Sequence, residues 1–393
     1  MFDELFEKLK GNGIHDDTDA IQALLDSGMR VVKLPSPEKS YLISRCLKIH
    51  SNTSLLLDRF THIKLADQSN CIMLENAEKD AGNIMISGGI WDFNNKNQRS
   101  NPLQDGSYKN TKDYGDAYLG VIMRFCGIKN FIIESITLKD PVTFAVQMAH
   151  INQFTVKDII FDFNHGNPNA VNMDGIHLDG FCKFGTISNL KGACFDDLVA
   201  INADDLLDGP VEDITVDGIF AQDCHSAVRL LSAKSMVQRI HISNVYGTYY
   251  QYCIGITKYY YDNNDYGFFD QICLSNIYAG KAPRYDIYGK KGTYVYSIIW
   301  VDTHLRINNL QITQFHRREN ETAVPSIHIE KETSIDVLSI THASQENSTG
   351  EAIPFLSNFG EIGFLFLEDI HIKDDIPIDN KGTIGSIVRN PTE

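Results

Sequence analysis

The sequence predicts an all-β chain wound as a parallel β-helix. Two observations predict it: a short apolar pattern that returns every 22 to 33 residues or so, and the lack of helical spacing behind that pattern. The pattern is apolar, any, apolar, any, any, apolar. It reads Ile84-x-Ile86-x-x-x-Ile90, Phe131-x-Ile133-x-x-Ile136, Phe154-x-Val156-x-x-Ile159 and a shortened Ile187-x-x-Leu190. It continues as Ile214-x-Val216-x-x-Ile219, Ile240-x-Ile242-x-x-Val245, Ile272-x-Leu274-x-x-Ile277, Leu305-x-Ile307-x-x-Leu310, Ile335-x-Val337-x-x-Ile340 and Leu365-x-Leu367-x-x-Ile370. Alternation with period two over so few residues marks short strands, and the two-residue interruption, often Ser-Asn or Asn-Asn, marks a bend between them. A fixed period of this size marks a solenoid whose units bury their apolar faces against their neighbours. The Leu-x-x-Leu-x-Leu signature of leucine-rich repeats is absent, and so are the three-and-four spacings of helical repeats.

Taken in order, the chain opens on Asp16-Asp17-Thr18-Asp19 ahead of Ala20-Ile21-Gln22-Ala23-Leu24-Leu25. Asp17 or Thr18 is the expected N-cap, acids near the helix start suit its dipole, and Ile21, Leu24 and Leu25 form an apolar stripe. A helix at about residues 10–28 would cover the first coil, whose open edge would otherwise invite aggregation. Coils then run over about residues 83–372. No linker rich in Pro, Gly or Ser interrupts them, so residues 1–393 read as one domain, because a solenoid grows by adding coils.

The formal net charge of −16, with a pI near 5.2, argues against nucleic acid or an anionic membrane as partner, since both need a basic footprint. The acidic start Met1-Phe2-Asp3-Glu4-Leu5 lacks the cationic and apolar regions of a signal peptide, and no stretch approaches 18 apolar residues, so a cytoplasmic address is expected. The eight cysteines lack Cys-x-x-Cys spacing and any compact framework, which argues against zinc and disulfides. Cys182, Cys253 and Cys273 fall near apolar strand positions and are expected in the core. Neither a cofactor nor a metal is expected. Asp204, Asp205 and Asp208 lack calcium-loop spacing and read as surface acids. Association with further copies of the chain is compatible with such a solenoid.

Three carboxylates stand out. Asp174 lies in Asn172-Met173-Asp174-Gly175, and Asp196 and Asp197 lie in Phe195-Asp196-Asp197-Leu198-Val199-Ala200-Ile201, 23 residues from Asp174 to Asp197. In a coil of that length the acids would fall at similar places on successive turns, with strands about 4.8 Å apart. Such carboxyl groups suit acid and base work on a glycosidic bond. Between Tyr246 and Tyr261 lie Tyr249, Tyr250, Tyr252, Tyr259 and Tyr260. One or two of these, Tyr259 foremost, are candidates to line a sugar cleft. Trp91 and the polar segment from Asn94 to Tyr118 are candidates for its wall or lid.

Asn172-Met173-Asp174-Gly175 resembles the Asn-Thr-Asp-Gly motif of glycoside hydrolase family 28, the polygalacturonase-like enzymes. Asp196-Asp197-Leu198-Val199-Ala200-Ile201-Asn202 resembles that family's Asp-Asp-Cys-Val-Ala-Ile-Asn. Cys224-His225-Ser226 stands where the family has Gly-His-Gly, and Gly255-Ile256-Thr257-Lys258 near its Arg-Ile-Lys. The segment from Gly11 to Gln22 resembles the opening motif of many pectin-lyase-fold proteins. The resemblance implies a single-stranded, right-handed parallel β-helix of the pectin-lyase type with a short N-terminal capping helix. It also implies an inverting glycoside hydrolase acting on a pectin-type or related oligosaccharide or polysaccharide. Asp196 would be the general acid, Asp174 and Asp197 would position and deprotonate water, and His225 would tune the cluster. Asn172, Lys258, Arg229 and Tyr259 would contact substrate. The family arginine is replaced by Ile256 or thereabouts, and Arg229 or Lys234 could take its place from a neighbouring coil. The competing readings are a polysaccharide lyase or intramolecular glycosyl (for example fructosyl) transferase on the same fold, and a non-catalytic carbohydrate-binding β-helix.

Overall fold

The computed structural model describes residues 3–100, 120–164, 172–259, 264–283, 296–373 and 375–390. The chain divides into two compact units. One comprises Met1–Leu178 with Cys182–Asp196, the other Asp179–Phe181 with Asp197–Glu393. Each is built of stacked parallel strands.

In the first unit the aliphatic side chains of one inner face line up coil upon coil. Val32 faces Leu55, which faces Ile86, and the row continues through Ile133, Val156 and Ile187. None of these six side chains is reached by solvent. The second unit repeats the device with Val216, Ile242, Leu274, Ile312, Ile340 and Leu367. A second inner row runs Val199, Val228, Ile254, Ile299, Ile327, Leu356 and Ile378. Each coil of the second unit is a short strand, such as Ser226–Leu231, followed by a long one, such as Met236–Tyr249.

The two-residue interruption proves to be a one-residue corner. Its second residue is left-handed in coil after coil: Ser135, Asp158, Asn189, Gly218, Asn244 and Asn276, then Gln314, His342 and Asp369. A left-handed backbone turns the strand without ending its hydrogen bonding, and Asn and Asp tolerate it better than most residues. Neighbouring corners also bond to each other. Asn189 donates to Asp158 at 2.5 Å, Asn244 to Asp217 at 2.6 Å, and Asn276 to Asn244.

The corners correct two segments of the repeat. Ile272 pairs with Leu310 and Ile277 with Phe315, so the true repeat there is Leu310-x-Ile312-x-x-Phe315, followed by Leu338-x-Ile340-x-x-Ala343. The segments beginning at Leu305 and Ile335 lie one strand bend upstream. Inward alternation there produces the same six-residue pattern a second time. The coils also reach beyond 83–372, from Val31–Lys33 to Thr383–Asn390. The earliest strands have only three residues, too few to show the motif.

The N-terminal helix is Thr18–Leu25, shorter than residues 10–28, with Ala20, Ile21, Leu24 and Leu25 turned inward. Asp17 holds the N-cap position and its carbonyl accepts the Ile21 N–H at 2.9 Å, but its side chain does not cap the helix. Its carboxylate accepts the backbone N–H groups of Lys10 at 2.6 Å and Gly11 at 3.1 Å, fastening the preceding loop. Cys182 and Cys253 are buried as expected, whereas Cys273 is only half-buried. Trp91 is not a cleft wall: its side chain is fully buried and its indole N–H donates to the Gly88 carbonyl at 3.3 Å. Residues 101–118 of the expected lid lie outside the described residues.

Gly247 has φ +148, and a Cβ there would strike the Ala221 carbonyl of the adjacent strand. Gly247→Ala is expected to cost about 2–3 kcal/mol, read as a lower urea midpoint. In the first unit Glu75 is sandwiched between Lys48 and Arg124, bonding Arg124 at 2.7 Å. Burial works to raise the Glu75 carboxyl, but Lys48 and Arg124 outweigh it and hold the group below its ordinary value. A depressed carboxylate contributes stability above its unfolded pKa and loses it as pH falls through the folded value. Glu75→Gln is therefore expected to flatten the loss of stability below about pH 4.5, followed by circular dichroism during acid titration.

Candidate active site

Asp197 opens the strand Asp197–Asn202, every residue of which is buried. Its carboxylate meets three side chains from later coils. Ser226 Oγ donates to Oδ1, Tyr252 OH approaches the same oxygen at 3.4 Å, and the Arg229 guanidinium lies 2.9 Å from Oδ2. Ser226 is brought there by strand pairing, since Asp197 is its register partner. Arg229 stands two positions past Ala227 on the same strand, opposite Ala200. Its guanidinium also comes within 3.9 Å of Asp205, which accepts from Asn202 at 3.0 Å. A buried carboxylate is tolerated only when paired and hydrogen-bonded, and Asp197 is both.

His225 lies beside this group, its Nδ1 2.9 Å from Ser226 Oγ. Serine can donate to Asp197 and accept from the imidazole at once, so it links acid and base. The Tyr250 ring stands edge-on to His225 at 5.2 Å, and the Tyr252 ring at 6.4 Å. Tyr259 is 60% exposed, and the Arg229 guanidinium sits 5.8 Å from its ring. Asp197, His225, Arg229 and Tyr259 are thus brought together in the second unit, with Ser226 and Tyr252 added. Asp196 directly precedes Asp197 in the chain and is half-buried, in contrast to the enclosed Asp197.

Asp174 belongs to the first unit. Its Oδ2 meets His177 Nδ1 at 2.6 Å, both side chains are almost fully buried, and His177 stacks on Phe144 at 4.0 Å. The strand Ile176–Leu178 places His177 opposite Gln147, on the outer row that also holds Lys48, Glu75 and Arg124. Asn172 is left-handed, φ 57, and half-buried. Lys258 is fully buried rather than displayed on the surface, and its backbone N–H donates to Asp302 at 3.2 Å.

The acids that follow Asp197 are not all surface groups. Asp204 is buried, and its Oδ2 accepts the backbone N–H groups of Ala233, Lys234 and Ser235 at 2.7–2.8 Å. It shapes the turn that ends the next short strand. Asp208 pairs with Lys234 at 2.7 Å, which engages one proposed substitute for the family arginine. As for cations, Asp197 and His225 are donor types, yet the Arg229 guanidinium beside Asp197 would repel a metal ion.

Of the tyrosines, Tyr249, Tyr250 and Tyr252 are buried, and Tyr260 lies outside the described residues. Tyr246 belongs to a column of stacked rings, Phe220, Tyr246, Tyr278 and His316, with centroids 4.8–5.4 Å apart. Rings so stacked cover each other's faces and turn only edges outward. The sequence assigns Ser226 no role beside the acids and offers Tyr252 only as one of several tyrosines that could line a cleft. Ser226 was legible as the residue after His225, but Tyr252 lies 55 residues from the acid it approaches.

No protein-family profile matches the chain, and no curated protein sequence does. Solved structures do. A polygalacturonase from Erwinia carotovora ssp. carotovora aligns at TM-score 0.56 and 14% identity, covering 94% of each chain. A family 28 exopolygalacturonase from Yersinia enterocolitica aligns at 0.54 and 11%, covering 96% of this chain and 78% of that one. PfbA, a surface adhesin of Streptococcus pneumoniae, aligns at 0.54 and 16%, covering 96% and 91%. The protein has the right-handed parallel β-helix fold of the pectin-lyase type, with a short N-terminal helix. Enzymes acting on carbohydrate and an adhesin both share that fold. Among the described residues, no helix is long and apolar enough to cross a membrane.

Proposed function

We propose that this chain is an inverting glycoside hydrolase acting on a pectin-type or related oligosaccharide. The observation that carries the reading is the Asp197 cluster: a buried carboxylate held by Ser226, Tyr252 and Arg229, with His225 one hydroxyl away. It directly follows Asp196, the less enclosed of the two acids. In this reading Asp196 protonates the leaving oxygen, and Asp197 orients and deprotonates the attacking water. His225 adjusts the cluster through Ser226, and Tyr259 with Arg229 forms the rim that meets the sugar. Lys258 lies too deep to touch the sugar.

The test uses the wild-type chain with defined uronic and neutral oligosaccharides. Products that gain water, with the opposite anomer appearing first by NMR, are expected. An unsaturated product absorbing in the ultraviolet would assign a lyase instead. Unchanged total mass with a rearranged linkage would assign a transferase. Sugar binding without any product would leave a carbohydrate-binding solenoid.

A further inference from the structure

We infer that Lys281 is a positioning residue for this site, acting through the loop that carries Tyr250 and Tyr252; the inference rests on the reading just proposed. Lys281 closes the strand Gly267–Lys281 and is 3% exposed. Its ammonium donates to the main-chain carbonyls of Tyr250 at 3.3 Å, Tyr296 at 3.0 Å, and Gln251. Burying an ammonium is costly unless its donors are satisfied, and an apolar side chain would fill the same space without that cost. What the charge adds is a grip on three carbonyls from two separate segments.

The carbonyls it grips lie around the candidate catalytic groups. The Gln251 N–H donates to the His225 carbonyl at 3.0 Å, and the Tyr250 N–H to the Cys224 carbonyl at 3.0 Å. The Tyr250 ring meets the His225 imidazole edge-on. Tyr252 lies one residue beyond, its hydroxyl near Asp197 and its ring 5.9 Å from that of Tyr296. Lys281 thus ties the backbone of the 250–251 segment, next to Tyr252, to that of Tyr296, whose ring packs on Tyr252. Its own anchor is firm. The Lys281 N–H donates to Glu319 Oε2 at 3.1 Å, and the same oxygen pairs with Arg317 at 2.7 Å, with both charged side chains fully buried. Arg317 continues to the Val324 carbonyl at 2.6 Å and Ser326 Oγ at 3.0 Å. Lys281 acts through the loop that carries Tyr250 and Tyr252.

The experiment compares wild type, Lys281→Met, Lys281→Arg and Tyr252→Phe in the full chain. The first readout needs no substrate. The His225 imidazole, assigned with His225→Asn, is titrated by NMR against the groups that face it: Asp197 through Ser226, the Tyr250 ring and the Tyr252 ring. Lys281→Met and Tyr252→Phe are expected to move its midpoint in the same direction, and Lys281→Arg to return it towards wild type. If the wild type turns over a sugar, Lys281→Met should also lower kcat roughly 10- to 100-fold with little change in KM. A folded Lys281→Met with an unchanged His225 midpoint overturns the inference. Should that variant not fold, hydrogen exchange on wild type decides: the 250–252 amides must be protected, and exchange at exposed-loop rates overturns it. Absence of turnover on every sugar tried would count against the hydrolase reading alone, because the titration still reads the positioning.

Discussion

Asp196→Asn is expected to lower kcat roughly 10²- to 10⁴-fold, the usual contribution of a positioned general acid. The amide has the shape of the carboxyl but no proton to give to a departing oxygen. The substitution leaves in place the Asp196 backbone carbonyl, which accepts from Cys194 Sγ at 2.9 Å, and Asp197 keeps Ser226, Tyr252 and Arg229. The deficit should shrink on an aryl glycoside whose leaving group needs no protonation, measured by release of the phenol. An equal deficit on both substrates would remove Asp196 from the acid's role. Asp197→Asn should behave differently, losing stability as well as activity, because it leaves Arg229 beside a neutral group in a buried setting.

The second large effect is structural. Glu319→Ala is expected to destabilise the second unit by about 3–5 kcal/mol, because it leaves the buried Arg317 guanidinium without its carboxylate. Burial pushes Arg317 down and Glu319 opposes that shift. Burial would raise Glu319, but Arg317 and the N–H groups of Glu321 and Thr322 outweigh it and hold it low. Arg317→Met combined with Glu319→Leu should cost less than the single change, since neither charge is then stranded. Urea denaturation of wild type and the two variants checks the order. A single variant no weaker than the double one would mean that the pair contributes little.

Much of the architecture can be read from the chain because a coil repeats its own physics. Ile214, Ile240 and Ile272 occupy one inner row, and the residue that turns each corner is usually Asn, Asp, Ser or Gly. The reading slips where the six-residue pattern arises twice within a coil, as at Leu305 and Ile335. Only pairing partners, not the apolar spacing itself, separate the two occurrences. The acids at Asp174, Asp196 and Asp197 are visible as motifs, but their partners are not. Ser226 and Tyr252 reach Asp197 from 29 and 55 residues away. Asp204 looks like one more solvated charge until the three amides 29 to 31 residues later are seen around it. Lys258 and Lys281 look like ordinary surface lysines, yet both are interior, which only the stacking of coils decides.

The last described strand, Thr383–Asn390, has Ile387 at 44% and Val388 at 38% exposure, and it leans on a single neighbour, Glu361–Ile372. That neighbour is itself held from both sides, by Ser334–Asn347 and Thr383–Asn390. Gentle heating should therefore fray this margin first, and a protease present during the warming should release fragments trimmed in whole-turn steps rather than at random. Such a stepped digest would make thermal resistance here a matter of where unravelling starts, not of how tightly the interior is packed.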